Sequence, residues 1–130
     1  MSLLEALVAL AIVGLIGTLA YPRLEQASNV AVLRHTVTVL VQDLRRARTV
    51  AVRSGDAAVV VPAPGGHGYL LPDQSLRPLP DGLALQAAGP GIRFFPDGSA
   101  SGGRVTVTGS GGLLAVAVDP TTGAATMVRP

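Results

Sequence analysis

MSLLEALVALAIVGLIGTLAYP, residues 1–22, decides how the rest of the chain is to be read. From Leu3 to Tyr21 the only charged residue is Glu5. About 19 residues rising 1.5 Å each span roughly 28 Å, close to the hydrocarbon thickness of a bilayer. Apolar residues fall on every face, so such a helix has to be surrounded on all sides, by lipid or by copies of itself. A secretory signal peptide needs a basic segment before its apolar run; this stretch shows none, and Thr18-Leu19-Ala20 is only a weak cleavage motif. An ordinary anchor has no use for Glu5, whose carboxylate costs about 2.5–3.5 kcal/mol at a bilayer centre and less near an edge. A third reading gives Glu5 a counter-charge. If Met1 is the mature start, its α-amine lies about one helical turn away, and a carboxylate is favoured at a helix N-terminus. Between two copies shifted along the axis, the Glu5 of one meets the amine of the next and fixes their register.

Beyond Pro22 the pattern changes. Val30, Leu33, Val37, Leu40, Leu44, Ala47 and Ala51 recur at alternating spacings of three and four, which places one apolar stripe on a helix. Ser54-Gly55 supplies a stop, with Gly suited to the C-terminal cap. The helix is predicted from about Leu3 to about Arg53, roughly 75 Å of rod. A stripe of average spacing 3.5 also suits a coiled coil, but it covers about three heptads and contains Ala, so docking on the following strands is the better reading. Arg45, Arg46, Arg48 and Arg53 form the densest basic run. They suit the negative end of the helix dipole, with Asp43 placed to pair with Arg46 one turn on; the alternative is a surface for a neighbouring subunit or for DNA.

From Asp56 the helical period disappears. Strands are predicted over Ala57–Val61, Tyr69–Leu71, Ile92–Phe95, Arg104–Thr108, Leu113–Val118 and Ala124–Val128, with Pro62–Gly68 as a loop. Phe95-Pro96-Asp97-Gly98-Ser99 and Asp119-Pro120-Thr121-Thr122-Gly123 carry turn chemistry. This gives an antiparallel β domain of about 75 residues, too small to bury an adequate core alone, so the helix stripe has to complete it.

The N-terminal residues carry a resemblance. MSLLEALVALAIVG resembles the mature N-terminus of type IV pilins and type II secretion pseudopilins, with Leu3, Glu5 and Pro22 at the family's marker positions and Met1 where Phe is usual. The resemblance implies a leader removed by a prepilin peptidase, N-methylation of Met1 as the mature N-terminus, and Glu5 as an assembly residue. Gly14, Gly17 and Pro22 read from their chemistry as a kink with close helix packing; the family implies instead that this stretch melts to extended chain inside a filament. DLRRARTVAVRSGDAAVVV, IRFFPDGSASGGRVTV and AVAVDPTTGAATMV are similar to the helix end and the paired C-terminal hairpins of the GspH/FimT family, leaving Gly66–Gly91 uncovered. That family includes the H-type minor pseudopilin of type II secretion and minor type IV pilins.

The remaining composition narrows the function. All ten basic residues are Arg and the net charge is +2, with no cluster interleaved with aromatics, so DNA is not expected as a partner. The absence of Cys excludes disulfides and thiolate sites, a departure from many pilins that suits a pseudopilin. His35 and His67 lack ligand neighbours at metal spacing. Gly65-Gly66-His67-Gly68 lacks the Lys and Ser/Thr of a phosphate loop, and Ser99, Ser101 and Ser110 sit in Gly-rich turns without a nucleophile elbow. No catalytic residue, metal or cofactor is therefore assigned, and the chain is not read as an enzyme. The expected fold is α+β: residues 1–22 a transmembrane and filament-core helix, 23–54 its amphipathic continuation, 55–130 an antiparallel β head. The expected role is a minor pseudopilin in a periplasmic type II secretion pseudopilus. Its partners are other pilin-like subunits, the bacterial inner membrane and the peptidase. A minor type IV pilin and a membrane-anchored periplasmic binding module are the alternatives.

Overall fold

The computed structural model describes residues 2–129. One helix, α1 (Leu3–Ser54), occupies the N-terminal part of the chain. Ser2 is its extended N-cap, and its hydroxyl accepts from the Glu5 backbone N–H at 3.2 Å. Ser2-Leu3-Leu4-Glu5 has the spacing of a capping box, which explains why the helix begins where it does. At the other end Gly55 adopts φ 76° and returns its N–H to the Ala51 carbonyl at 3.1 Å, a left-handed cap that Gly enters without strain. The helix continues across Pro22. Because proline has no N–H, the Thr18 carbonyl lacks its usual helical donor there.

The rest forms two four-stranded antiparallel sheets. β1 (Ala58–Pro62), β2 (Gly68–Leu70), β3 (Leu76–Pro78) and β5 (Ile92–Phe94) make the first, in the order β3-β2-β1-β5. β4 (Ala84–Ala87), β6 (Gly103–Gly109), β7 (Gly112–Val118) and β8 (Ala125–Val128) make the second, in the order β4-β6-β7-β8. The long β6–β7 hairpin anchors the second sheet, with Val105 opposite Val116 and Val107 opposite Leu114.

The stripe of α1 behaves as its spacing requires. Leu33, Val37, Leu40, Leu44, Ala47 and Ala51 are all buried, and Val30 is half-buried. They lie against β1, β5, β6, β7 and β8, so one helix closes both sheets, and Val60, Phe94, Val107 and Val116 complete a single core with them. The docking on strands replaces the coiled-coil alternative.

Several strand boundaries move. β1 starts at Ala58 and takes in Pro62, which pairs with Tyr69, and β5 stops at Phe94. The loop expected over Pro62–Gly68 narrows to Ala63–His67 and holds a 3-10 turn at Pro64–Gly66. β3 and β4 were not expected from sequence. Leu-Arg-Pro and Ala-Leu-Gln-Ala carry little intrinsic β preference; β4 pairs with the strongly alternating β6, and β3 pairs with the short β2. The turn at Phe95–Ser99 closes as expected, with the Phe95 N–H on the Ser99 carbonyl at 2.9 Å. Its arms do not form a hairpin within one sheet, however. After a single bridge between Phe94 and Ala100 the chain crosses from the first sheet to the second. The turn at Asp119–Gly123 does join two partners, β7 and β8; the Asp119 carboxylate accepts from the N–H groups of Thr121 and Thr122, and Gly123 takes φ 71°.

One close approach fixes how the head sits on the rod. At Gly111, in the β6–β7 turn, an added Cβ would come within 2.5 Å of the Asn29 carbonyl oxygen. Backbone meets backbone there, and no side chain can move away. Gly111→Ala should therefore destabilise the head by about 1–3 kcal/mol, as overpacking of rigid surroundings does, read as a lowered urea midpoint. A fragment beginning at Asn29 retains every buried residue, since the helix is exposed from Leu3 to Ser28 and burial begins at Leu33. It should be soluble and melt cooperatively by circular dichroism; a non-cooperative, largely unfolded signal would refute the docking of helix on sheets.

Candidate assembly interface

Apolar side chains in the first half of α1 have no partner within the subunit. Leu3, Leu10, Val13, Leu15, Ile16, Leu19 and Leu24 are each more than half exposed. Among the described residues this is the one helix whose length and composition suffice to cross a membrane. Met1 lies outside the described residues. Glu5 stands in the first turn, one turn after the capping Ser2, on an exposed part of the rod. Gly14 and Gly17 face open space, where another chain can approach the backbone closely. Pro22 sits at the end of the apolar run, inside the continuous helix.

The four arginines separate. Arg45, Arg46 and Arg53 are exposed, whereas Arg48 is half-buried and turned toward its own head. Its Nε donates to the carbonyls of Gly98 and Thr122, both at 3.0 Å. One guanidinium thus ties the helix to the turn after β5 and to the β7–β8 turn. Gly98 and Gly123 leave room for it, since an added Cβ at either would lie within 3.0 Å of the Arg48 side chain.

Asp43 does not pair with Arg46 as its spacing suggests. It occupies the buried side of the helix beside Leu40 and Leu44, only 5 % exposed. There it accepts from the Tyr69 hydroxyl at 2.6 Å and from the Arg77 Nε and Nη2 at 3.0 and 3.2 Å. A carboxylate on a buried face needs charge and hydrogen bonds from across the interface, and a solvent-side neighbour on its own helix cannot supply them. The node clamps the β2–β3 hairpin to α1. Burial, reinforced by the adjacent Asp43 carboxylate, pushes the Tyr69 phenol far above its usual value, and the same carboxylate raises Arg77. Sequence reasoning missed both the Arg48 tie and this node. Arg48 carries no local signal, because its acceptors are backbone carbonyls 50 and 74 residues away. Asp43 does carry one: an acid three residues after Leu40 and four before Ala47 lies on the buried stripe.

A long helix, apolar and exposed at its start, laid by its second half across antiparallel sheets, defines a pilin-like subunit. A solved structure with this arrangement is that of the minor pseudopilin EpsH from the type 2 secretion system of Vibrio cholerae, matched with a TM-score of 0.58 at 15 % identity over 75 % of this chain and 97 % of that one. The chain belongs to the GspH family of type II transport proteins, whose sequence profile matches residues 36–122. No curated protein sequence matches the chain.

The Tyr69 node makes stability depend on alkaline pH. Above the ordinary tyrosine value of 10.0 the unfolded chain gives up this proton while the folded chain keeps it. The unfolded state then binds fewer protons, so stability falls as pH rises, by about 1.4 kcal/mol per unit, and this contribution is constant below that value. The fragment from Asn29 has Tyr69 as its sole tyrosine. Its tyrosinate absorbance should appear together with unfolding, and Tyr69→Phe should abolish the alkaline slope. A free titration near the ordinary value in the folded fragment would contradict the node.

Proposed function

We propose that this chain is a minor pseudopilin, anchored in the bacterial inner membrane by the first half of α1, with its head in the periplasm, and assembled with other pilin-like subunits into a type II secretion pseudopilus. The observation that carries this reading is the uninterrupted exposure of α1 from Leu3 to Ser28 in the isolated subunit. So large an apolar surface is tolerated only where lipid or neighbouring rods cover it. Membership of the GspH family supports the type II system over a type IV pilus. Processing by the prepilin peptidase and methylation of Met1 belong to the same proposal.

Glu5 is assigned the register of assembly, through the amine of an adjoining copy. Its place three residues after the cap lets it serve the free helix as well, by opposing the positive end of the helix dipole. These roles separate experimentally. Glu5→Ala and Glu5→Leu should leave membrane insertion intact, because each makes the rod more apolar. Incorporation into sheared filaments should fall about tenfold or more, the loss expected when a close interfacial charge pair worth about 1.5 kcal/mol or more is broken. Wild-type incorporation of both variants would remove the pairing from the proposal.

A further inference from the structure

The head has a distinct membrane-facing foot. The β6–β7 turn meets α1 at Asn29 and Val30, where Gly111 lies against the helix backbone. From Pro22, where the apolar run ends, to Asn29 the helix rises about 10 Å. The headgroup layer extends about 5–7 Å beyond the hydrocarbon on each side, and helix tilt lowers one side of the head further. The foot therefore sits at the outer edge of the headgroups.

A cleft of about 350 Å³ opens at this foot, lined by Arg34 and Arg129 together with Val30, Gly111 and Leu113. No acidic side chain lines it. Arg34 is exposed, and among the described residues the ion pair of the subunit is made elsewhere, between Asp43 and Arg77. Side chains on a helix lean toward its N-terminus, so Arg34 leans toward the bilayer. Leu113 stays 39 % exposed at the rim. Glu25 and Asp43, the nearest acids along the rod, are each nine residues from Arg34, about 13 Å, and Asp43 is paired with Arg77.

We propose that this cleft binds the phosphate of an anionic phospholipid, with Arg34 and Arg129 holding the phosphate and Leu113 resting against the lipid. Guanidinium is suited to a phosphate group because its fork of donors matches the oxygens. The inference rests on the membrane-anchored reading proposed above. It adds a second, electrostatic attachment that orients the head on the bilayer surface before extraction into a filament.

The test uses the full chain in nanodiscs. Because the chain has no Cys, a fluorophore on Ser110→Cys is carried at a unique thiol on the foot. Headgroup-nitroxide lipid should quench it in discs containing phosphatidylglycerol. Because the rod alone keeps the foot near the headgroups, quenching should persist but weaken clearly in pure phosphatidylcholine, in about 1 M salt, where the screening length falls to roughly 3 Å, and in the Arg34→Gln/Arg129→Gln variant. Equal quenching in neutral and anionic discs, or an unchanged double variant, would overturn the lipid site. A separate fluorophore on Leu10→Cys, quenched by acyl-chain nitroxide in both kinds of disc, establishes insertion. With that signal present, a negative result at Ser110 counts against the lipid site alone; without it, the anchored reading fails first.

Discussion

Everything in the head leans on the burial of one helical stripe. Both sheets are small, and five of their eight strands have only three or four residues. Strands of that length contribute few core side chains, and an isolated sheet of them is marginal in water. Leu33, Val37, Leu40 and Leu44 supply what is missing, each at most 2 % exposed. At about 1.5–3 kcal/mol for each fully buried aliphatic side chain, these four outweigh any single polar contact in the molecule. The helix is thus the central element of the fold, and the sheets are stable because they share it.

The same helix has to satisfy two solvents. Up to Pro22 its sequence is apolar around nearly the whole circumference, Glu5 apart, and nothing in the subunit covers it; from Leu33 on it is apolar along one side, and that side is covered. The change falls in a polar interval, Arg23 to Asn29, where the rod is exposed and the β6–β7 turn first touches it. A continuous helix through this interval is a rigid spacer. The close approach of Gly111 to Asn29 fixes how far along this spacer the head sits from the apolar half.

How much of this was legible follows from what each residue needs. The stripe, the Gly55 cap and the Asp119–Gly123 turn depend on local chemistry and were readable, as was the β6–β7 pair from its alternation. β3 and β4 were hidden because Leu76–Pro78 and Ala84–Ala87 become strands only through their partners. The crossover after Phe94 was read as half a hairpin, since a tight turn specifies reversal of the chain and leaves open which sheet receives it. The Ser2 cap has a local signature too, the Ser-x-x-Glu spacing, but Glu5 within it also reads as an isolated charge. Met1, central to the assembly reading, lies outside the described residues.

The polar contacts complete the argument by showing where specificity enters. Hydrophobic burial alone would tolerate a slide of the helix by three or four residues along its stripe, a step that returns an apolar residue to the sheets. Asp43 forbids this. It is buried, and only one rotation of α1 brings it to both Tyr69 and Arg77. A misaligned helix would leave that carboxylate desolvated and unpaired, a cost of about 3–5 kcal/mol. Arg48 acts at the far end in a complementary way, since its two carbonyl acceptors sit on turns joined to different strands. In a chain without Cys, these two contacts set the register between rod and head that a covalent link would otherwise hold. They also explain why the exposed arginines and the inward one, adjacent in sequence, belong to different parts of the molecule: Arg48 is committed to the fold, whereas Arg45 and Arg46 remain on the surface, where a neighbouring subunit can reach them.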